Sequence, residues 1–172
     1  MMKGQVHLYT GNGKGKTTAA LGLALRALGS GKKVYMAQFV KGMPYSELDA
    51  ISGFLPEMRV VQFGRDCFIE KEPTAEDIEA ARKGLEETGR ILQAGAYDVF
   101  ILDEVCIALH YQLFSLEELL RVLTKRKQDA ELILTGRYAP QGLIDFADLV
   151  TEMKEIKHYY QKGINARVGI EK

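Results

Sequence analysis

Mostly apolar runs alternate along this chain with longer segments in which apolar residues recur every three or four positions. The apolar runs predict strands at residues 6–9, 34–40, 59–63, 99–102, 132–134 and 149–153. The longer segments predict helices at residues 16–28, 46–54, 115–123 and 140–146, and a long helix that begins at Thr74. Strands that lack polar alternation and are separated by helices are typical of a sheet covered on both faces. The pattern therefore predicts an α/β fold with a mostly parallel sheet and helices on both faces.

Two of the predicted helices begin with residues that favour a capped N-terminus. Thr74 and Asp77 have the spacing of an N-cap residue and its N3 partner, and Ser115 and Glu118 have the same spacing. In each pair, each side chain can bond to a backbone N–H group of the other residue. We therefore expect helices to start directly after Thr74 and Ser115.

The composition indicates a folded protein without a strong electrostatic preference. The 172 residues include 23 Lys+Arg and 23 Asp+Glu, and we expect them to form one domain over residues 1–172. A net charge of zero predicts no broad attraction to nucleic acid or to an anionic membrane. No apolar run approaches the roughly 18–20 residues that a membrane helix needs. The two cysteines, Cys67 and Cys106, lack a paired spacing, and this fits a reducing cytoplasm.

A glycine-rich loop joins the first predicted strand to the first predicted helix. Residues 10–18 read Thr-Gly-Asn-Gly-Lys-Gly-Lys-Thr-Thr, which ends as a phosphate-binding P-loop does, although its first glycine comes one residue late. The glycines allow a tight turn whose N–H groups point inward, and the helix N-terminus adds partial positive charge. Lys16 and Lys14 would neutralise phosphate oxygens, and the Thr17 hydroxyl would hold Mg²⁺. The loop therefore predicts a site for a nucleoside triphosphate.

Two acidic residues follow the predicted strand at residues 99–102. Asp103 would lie beside the P-loop and bind Mg²⁺ directly or through water, as the acid of a Walker B strand does. Glu104 could position water or contact the substrate. A simpler interpretation is that the pair caps a helix. The P-loop upstream favours the functional interpretation.

Arg137 follows the predicted strand at residues 132–134, at the same edge of the sheet. It could clamp a phosphate or be a solvated surface charge, and the sequence leaves both alternatives open. The motif Asn-Lys-x-Asp is missing from the sequence, so guanine specificity has no support. The residues alone therefore predict a protein that binds MgATP and does chemistry on it. A P-loop ATPase, a small-molecule kinase and a nucleotide-binding module that delivers a ligand to a client enzyme stay open as alternatives.

The motifs taken together resemble the ATP:corrinoid adenosyltransferases of the CobA/BtuR type. The resemblance covers nearly the whole chain. It is carried by residues 10–20, Gln-Phe-Val-Lys-Gly at 38–42, Leu-Asp-Glu at 102–104, Thr-Gly-Arg at 135–137, Ala-Asp-Leu-Val-Thr-Glu-Met at 147–153, Lys-His at 157–158, Gly-Ile at 163–164 and Gly-Ile-Glu at 169–171.

The resemblance implies transfer of the 5′-deoxyadenosyl group of ATP to the cobalt(I) of a reduced corrinoid such as cobalamin, with release of triphosphate. It also implies a RecA-like fold, Mg²⁺, a homodimer and an electron donor such as a flavoprotein. Cobalt(I) is itself a strong nucleophile, so the protein has to position the reactants and stabilise the leaving triphosphate. Lys16 would supply part of that stabilisation.

The resemblance also implies site residues by position. The residues expected to bind ATP are Gly11, Asn12, Gly13, Lys14, Gly15, Lys16, Thr17, Thr18, Arg26, Glu104 and Arg137, and those expected near the metal are Thr17, Asp103 and Glu104. The family commonly has Gly-Phe-Thr-Trp after the third strand, and these aromatic residues help to displace the lower ligand of the corrinoid. Phe68 falls on the Phe position and Glu70 on the Trp position, and the chain has no Trp. Phe68 is therefore expected to act in catalysis by wedging against the corrin ring.

Overall fold

The fold is built on one six-stranded sheet, seen in a computed structural model that describes residues 3–65, 69 and 72–171. The strands are β1 (Val6–Thr10), β2 (Val34–Phe39), β3 (Met58–Phe63), β4 (Val99–Asp103), β5 (Glu131–Thr135) and β6 (Leu149–Glu152). Their order is β3-β2-β4-β5-β1-β6, and neighbouring strands are parallel. The predicted parallel α/β sheet is confirmed, and each predicted strand end lies within one residue of the observed end.

Six α-helices connect or cover these strands in the described part of the chain. They are α1 (Lys16–Gly29), α2 (Ser46–Phe54), α3 (Ala75–Ala94), α4 (Val105–His110), α5 (Leu116–Leu123) and α6 (Gln141–Phe146), and a 3₁₀ turn follows at Tyr159–Lys162. Both predicted capping boxes are confirmed, at Thr74 before α3 and at Ser115 before α5. None of these helices is long and apolar enough to cross a membrane.

Helix α4 is an element that the apolar pattern did not predict. It starts directly after β4, and its residues read Val-Cys-Ile-Ala-Leu-His without polar spacing. Glu104 occupies its N-cap position with a left-handed φ of 57°, and its side chain makes no capping bond. The helix therefore lacks both the periodicity and the cap that mark α3 and α5.

The core lies on both faces of the sheet, because successive side chains of a strand point to opposite faces. On one face Tyr35 and Phe100 pack among residues of α3 and α5, whereas their neighbours Met36 and Ile101 pack with Ala20 and other small residues of α1 on the other face. All of these side chains are buried. Burial on both faces explains why the strands read as apolar runs.

The carboxyl ends of the parallel strands meet at one edge of the sheet. There β5 lies between β1, which leads into the P-loop, and β4, which ends at Asp103. The segment after β2, which begins at Val40, also starts at this edge. Ligands of open parallel sheets bind in the crevice beyond this edge, so the fold brings the predicted site residues of different strands to a common place.

Candidate nucleotide-binding site

The P-loop has a shape that only glycine can adopt at several positions. Gly11 and Gly15 have φ values of 94° and 119°, in the region that side chains disfavour. The N–H of Gly13 donates a 2.7 Å hydrogen bond to the Met153 carbonyl, and a Cβ on Gly13 would lie 2.7 Å from the same oxygen. The N-cap residue of α1 is Gly15, which has no side chain that could cap the helix. The N–H groups of the first turn of α1 are therefore available to an anion.

Lys16 is held inside the loop that it serves. Its Nζ donates hydrogen bonds of 2.7 Å to the carbonyl oxygens of Gly11 and Gly13. Burial lowers the pKa of Lys16, and the nearby Glu104 carboxylate acts in the opposite direction. The loop carbonyls are neutral acceptors, so the oxygens of a bound triphosphate would be stronger partners for the same ammonium group.

Asp103 is fully buried and surrounded by donors. Its Oδ1 accepts hydrogen bonds from the hydroxyls of Thr17, at 2.8 Å, and Thr135, at 2.7 Å. Its Oδ2 accepts one of 2.7 Å from the Lys41 ammonium. Asp103 does not line the cleft beside the loop. The predicted contact of Asp103 with Mg²⁺, direct or through water, stays a prediction.

Glu104 faces the cleft, although it directly follows Asp103 in sequence. Its left-handed backbone turns the chain out of β4, and its N–H donates a 3.0 Å hydrogen bond to the Thr135 hydroxyl. Burial raises the pKa of Glu104, the Asp103 carboxylate raises it further, and Lys41 and Lys16 counteract both. Glu104 is therefore a carboxylate with a raised pKa that lines the cleft beside the P-loop.

Lys41 is a member of the site that was quoted as part of a motif but given no role from the sequence. It pairs with Asp103, and its ammonium lies 5.1 Å from the centre of the Tyr45 ring. Burial lowers the pKa of Lys41, but the Asp103 carboxylate, together with Glu104 and Glu47, raises it overall. A polar Gln38 inside the otherwise apolar β2, three residues before Lys41, is the signal in the sequence that could have located this cluster.

A cleft of about 870 Å³ opens in front of the P-loop. Residues 13–18 form its charged floor, and apolar and aromatic side chains form its walls, among them Leu21, Tyr45, Ile69, Ile107, Tyr111 and Tyr138. Its volume is near the upper end of the roughly 300–1,000 Å³ that is usual for small-molecule pockets. The cleft thus offers a polar region for phosphates and an apolar region for a second group.

The segment of residues 153–171 closes one side of this cleft. The Lys14 ammonium donates hydrogen bonds to the Tyr159 hydroxyl at 3.2 Å, the Ile170 carbonyl at 3.0 Å and Glu171 Oε1 at 3.0 Å. Arg167 and then Tyr159 hold the pKa of the Glu171 carboxyl well below its usual range. Lys14 is thereby tied to the 153–171 segment, whereas Lys16 is tied to the loop, so the two lysines of the loop do not have equivalent surroundings.

The structure places Arg137 and Arg26 differently. Arg137 lines the same cleft as the P-loop, which favours a phosphate contact over a plain surface charge. The preceding Gly136 lets the chain pass α4, since a Cβ there would lie 2.7 Å from Cβ of Cys106. Arg26 is exposed in the last turn of α1 and does not line the cleft. Ten residues of helix separate it from Lys16, or about 15 Å at 1.5 Å per residue, so this fold does not bring Arg26 to the site.

Two further predicted residues do not line the cleft, and a third cannot be placed relative to it. Gly11 shapes the loop and Asn12 is exposed, and neither of them lines the cleft. Phe68, the predicted corrin-contacting residue, lies outside the described residues, as does Glu70. The predicted role of Phe68 therefore stays a prediction.

A parallel sheet that carries a P-loop after β1 and an Asp-Glu pair after β4 defines a P-loop nucleotide-binding protein. The chain belongs to the family described as ATP:corrinoid adenosyltransferase BtuR/CobO/CobP, which it matches over residues 2–171. It is 35% identical to the corrinoid adenosyltransferase of Escherichia coli K12 and 36% identical to corrinoid adenosyltransferase CobA of Salmonella typhimurium, in each case over 98% of this chain and 86% of the relative. It is 34% identical to the corrinoid adenosyltransferase of Pseudomonas aeruginosa, over 98% of this chain and 84% of the relative.

Proposed function

We propose that this protein transfers the 5′-deoxyadenosyl group of ATP to the cobalt of a reduced corrinoid and releases triphosphate. The observation that carries the proposal is the family match over residues 2–171, in a chain whose P-loop and Asp-Glu pair lie at the same edge of the sheet. The nucleophile in this reaction belongs to the corrinoid substrate. The role of the protein is therefore to hold two substrates in line and to stabilise the leaving group.

The P-loop supplies the electrostatic part of this role. The uncapped first turn of α1 and the Lys16 ammonium would bind the triphosphate and offset the negative charge that develops as it leaves. Arg137, which lines the same cleft, would contact the same charge.

The residues at the loop fit a magnesium ion bound together with the nucleotide. The Thr17 hydroxyl donates its hydrogen bond to Asp103, so the lone pairs of the Thr17 oxygen can accept a cation. The Glu104 carboxylate faces the same cleft. Hydroxyl and carboxylate oxygens are ligands that Mg²⁺ prefers, with phosphate oxygens and water completing the shell. A bound Mg²⁺ would neutralise part of the triphosphate charge. Thr17 and Glu104 would hold it.

The apolar walls of the cleft support a large, flat second substrate. Tyr45, Tyr111, Tyr138 and Ile107 give aromatic and aliphatic surface beside the polar floor. We propose that this region holds the corrinoid, with Phe68 as a further contact.

The proposal also covers the surroundings of the enzyme. Apolar side chains are exposed along β6 and in the 153–171 segment, among them Leu149, Val150 and Ile156, and they support a homodimer. We further propose a cytoplasmic location and an electron donor such as a flavoprotein that reduces the corrinoid. Light scattering tests the proposed homodimer. A molar mass equal to that of one chain at micromolar concentration would contradict it.

Product analysis tests the proposed reaction. The protein is incubated with MgATP and chemically reduced cobalamin, and the expected products are a light-sensitive compound with a Co–C bond and an equal amount of triphosphate. Release of ADP without any Co–C product would instead indicate phosphoryl chemistry, as in an ATPase or a kinase. Tight binding of both substrates without turnover would indicate a delivery module.

A further inference from the structure

Lys41 is a largely buried cation that lines the cleft, and a generic P-loop site does not require it. Only 13% of its side chain is exposed, and its ammonium lies 2.7 Å from Oδ2 of the fully buried Asp103. A buried ion pair is strongly destabilising when one partner is removed, because the other charge is left uncompensated. The ion pair between Lys41 and Asp103 is therefore a specific structural element of the site.

The backbone around Lys41 is shaped to hold it there. Val40 has a left-handed φ of 58°, which is rare for a β-branched residue and costs about 1–3 kcal/mol. A Cβ on Gly64 would lie 2.4 Å from the backbone nitrogen of Lys41, and one on Gly42 would lie 2.5 Å from the Arg65 carbonyl oxygen. Two glycines thus let the turn after β2 press against the end of β3, and the strained turn directs the chain so that Lys41 reaches Asp103.

The two oxygens of Asp103 have separate partners. Oδ1 receives the hydroxyls of Thr17 and Thr135, whereas Oδ2 receives the Lys41 ammonium at 2.7 Å and Gln38 Nε2 at 3.4 Å. A contact of 3.4 Å is longer than a good hydrogen bond. Without the ammonium, Oδ2 would lose the shorter and charged one of these two contacts, and the rotation of the carboxylate would be less firmly fixed.

We propose that Lys41 is a positioning residue for the metal–nucleotide site, acting through Asp103. Lys41 fixes the rotation of the Asp103 carboxylate, so that Oδ1 accepts the hydrogen bond of the Thr17 hydroxyl. This bond orients the lone pairs of the Thr17 oxygen toward the cleft. Because Lys41 engages Asp103, the adjacent Glu104 keeps its carboxylate free to face the cleft. The inference rests on the proposed function only in that the ligand is a magnesium–nucleotide complex.

A double-mutant cycle with Lys41→Met and Asp103→Asn tests this inference. Binding of a fluorescent ATP analogue is titrated with Mg²⁺ and again with a chelator. Lys41→Met is expected to weaken Mg²⁺-dependent binding about 10–100-fold, as is usual when a residue that orients a metal ligand is lost. Binding without Mg²⁺ should change less than about threefold, because Lys41 is not a phosphate ligand in this scheme.

The double variant is decisive, because it also removes the unpaired buried charge that could unfold either single variant. Its loss of Mg²⁺-dependent binding should exceed the loss in the more weakly binding of the two single variants by no more than about twofold. Lys41→Arg, which keeps the charge, should restore part of the Mg²⁺ response, and Lys32→Met, a change of an exposed lysine at the opposite edge of the sheet, should behave as wild type.

Additive losses in the double variant would overturn the inference, since Lys41 would then contact the nucleotide itself. An equal loss with and without Mg²⁺ would also overturn it, as would a wild-type protein that binds the analogue without any response to Mg²⁺. These readouts need no turnover. The expected Mg²⁺ result together with the absence of a Co–C product would overturn the proposed function and leave the role of Lys41 intact.

Discussion

The hydroxyl of Thr17 donates a 2.8 Å hydrogen bond to Oδ1 of Asp103, across 86 residues of sequence. Thr17 lies in the first turn of α1, which follows β1, and Asp103 ends β4; β5 lies between these two strands. Thr135 at the end of β5 fills the gap and donates to the same oxygen. Because the hydroxyl hydrogen of Thr17 points toward Asp103 in this bond, the lone pairs of the Thr17 oxygen are left to coordinate a cation.

Removing the Thr17 hydroxyl should therefore affect the metal more than the nucleotide. Thr17→Val keeps the shape of the side chain, and we expect the rate of adenosyl transfer at saturating ATP to fall about 10–100-fold, with a higher Mg²⁺ concentration needed for half-maximal rate. Thr17→Ser keeps the hydroxyl and should stay within about tenfold of wild type. Initial rates measured over a range of Mg²⁺ concentrations provide the test. An unchanged Mg²⁺ dependence in Thr17→Val would remove Thr17 from the metal site.

The two lysines of the P-loop should differ in their effect on turnover. Lys16→Ala removes a charge held inside the loop, and we expect a loss of about 10²–10³ in kcat, the range found when a group that stabilises developing charge is removed. Lys14→Ala removes a charge that is bonded to the 153–171 segment, and its loss should be clearly smaller. The rate of formation of the light-sensitive product with reduced corrinoid measures both. Near-wild-type turnover in Lys16→Ala would contradict the P-loop assignment.

The sequence predicted the elements of this fold far better than the contacts of its site. Continuous apolar strands and capping boxes are local signals, and they placed β1 to β6, α3 and α5 closely. Helix α4 was missed because its residues are apolar without a period and Glu104 starts it without a cap. The pair of Lys41 with Asp103 spans 62 residues, and its geometry depends on a left-handed Val40 that no residue preference indicates.

Motif and position also gave different results for individual residues. Lys16, Thr17 and Glu104 line one cleft, as their motifs indicated, whereas Arg26 follows the rise of α1 away from it. The hydrogen bonds of Lys14 to the 153–171 segment join residues that are more than 140 positions apart in the sequence. Hydrophobic patterning carries no information about such a contact, since no apolar stripe marks it.

Glu104 should make the ligand-free protein less stable as the pH rises. Because burial raises its pKa, the folded state binds this proton more tightly than the unfolded chain. Its contribution to the free energy of unfolding is therefore fully present below the ordinary carboxyl pKa of about 4.3 and is lost as the pH rises through the raised value. Glu104→Gln cannot ionise, so its Tm should exceed that of wild type by an amount that grows over this pH range.

Thermal denaturation in the presence of a chelator, from below the ordinary carboxyl pKa to neutral pH, measures this difference. The same variant should lose Mg²⁺-dependent turnover, which is the usual relation between a strained site and its activity. Glu104→Asp, which can still ionise, serves as the control for loss of charge. A Tm difference that does not change with pH would show that the folded state does not perturb Glu104.

The contact between Lys14 and Glu171 should hold the 153–171 segment against the loop. Glu171→Gln removes the charge that Lys14 and Arg167 share, and we expect trypsin to cut this segment about two to five times faster, the range that exposed ion pairs allow. Glu79→Gln, an exposed change on α3, is the matched control. Cleavage sites and rates are read by mass spectrometry. Equal rates for the two variants would mean that the ion pairs do not restrain the segment.

Gly13 and Gly22 provide a matched pair that tests how tightly the P-loop is built. A Cβ on Gly13 would lie 2.7 Å from the Met153 carbonyl oxygen that accepts its N–H, whereas a Cβ on Gly22, inside α1, would meet nothing within 4 Å. Gly13→Ala should therefore lower the free energy of unfolding by about 1–3 kcal/mol and weaken ATP binding, because the loop must move away from β6. Gly22→Ala should raise that free energy by up to about 1 kcal/mol through helix propensity and leave ATP binding unchanged. Urea denaturation and titration with a fluorescent ATP analogue measure the two effects, and a Gly13→Ala protein as stable as wild type would show that the segment after β6 can yield without cost.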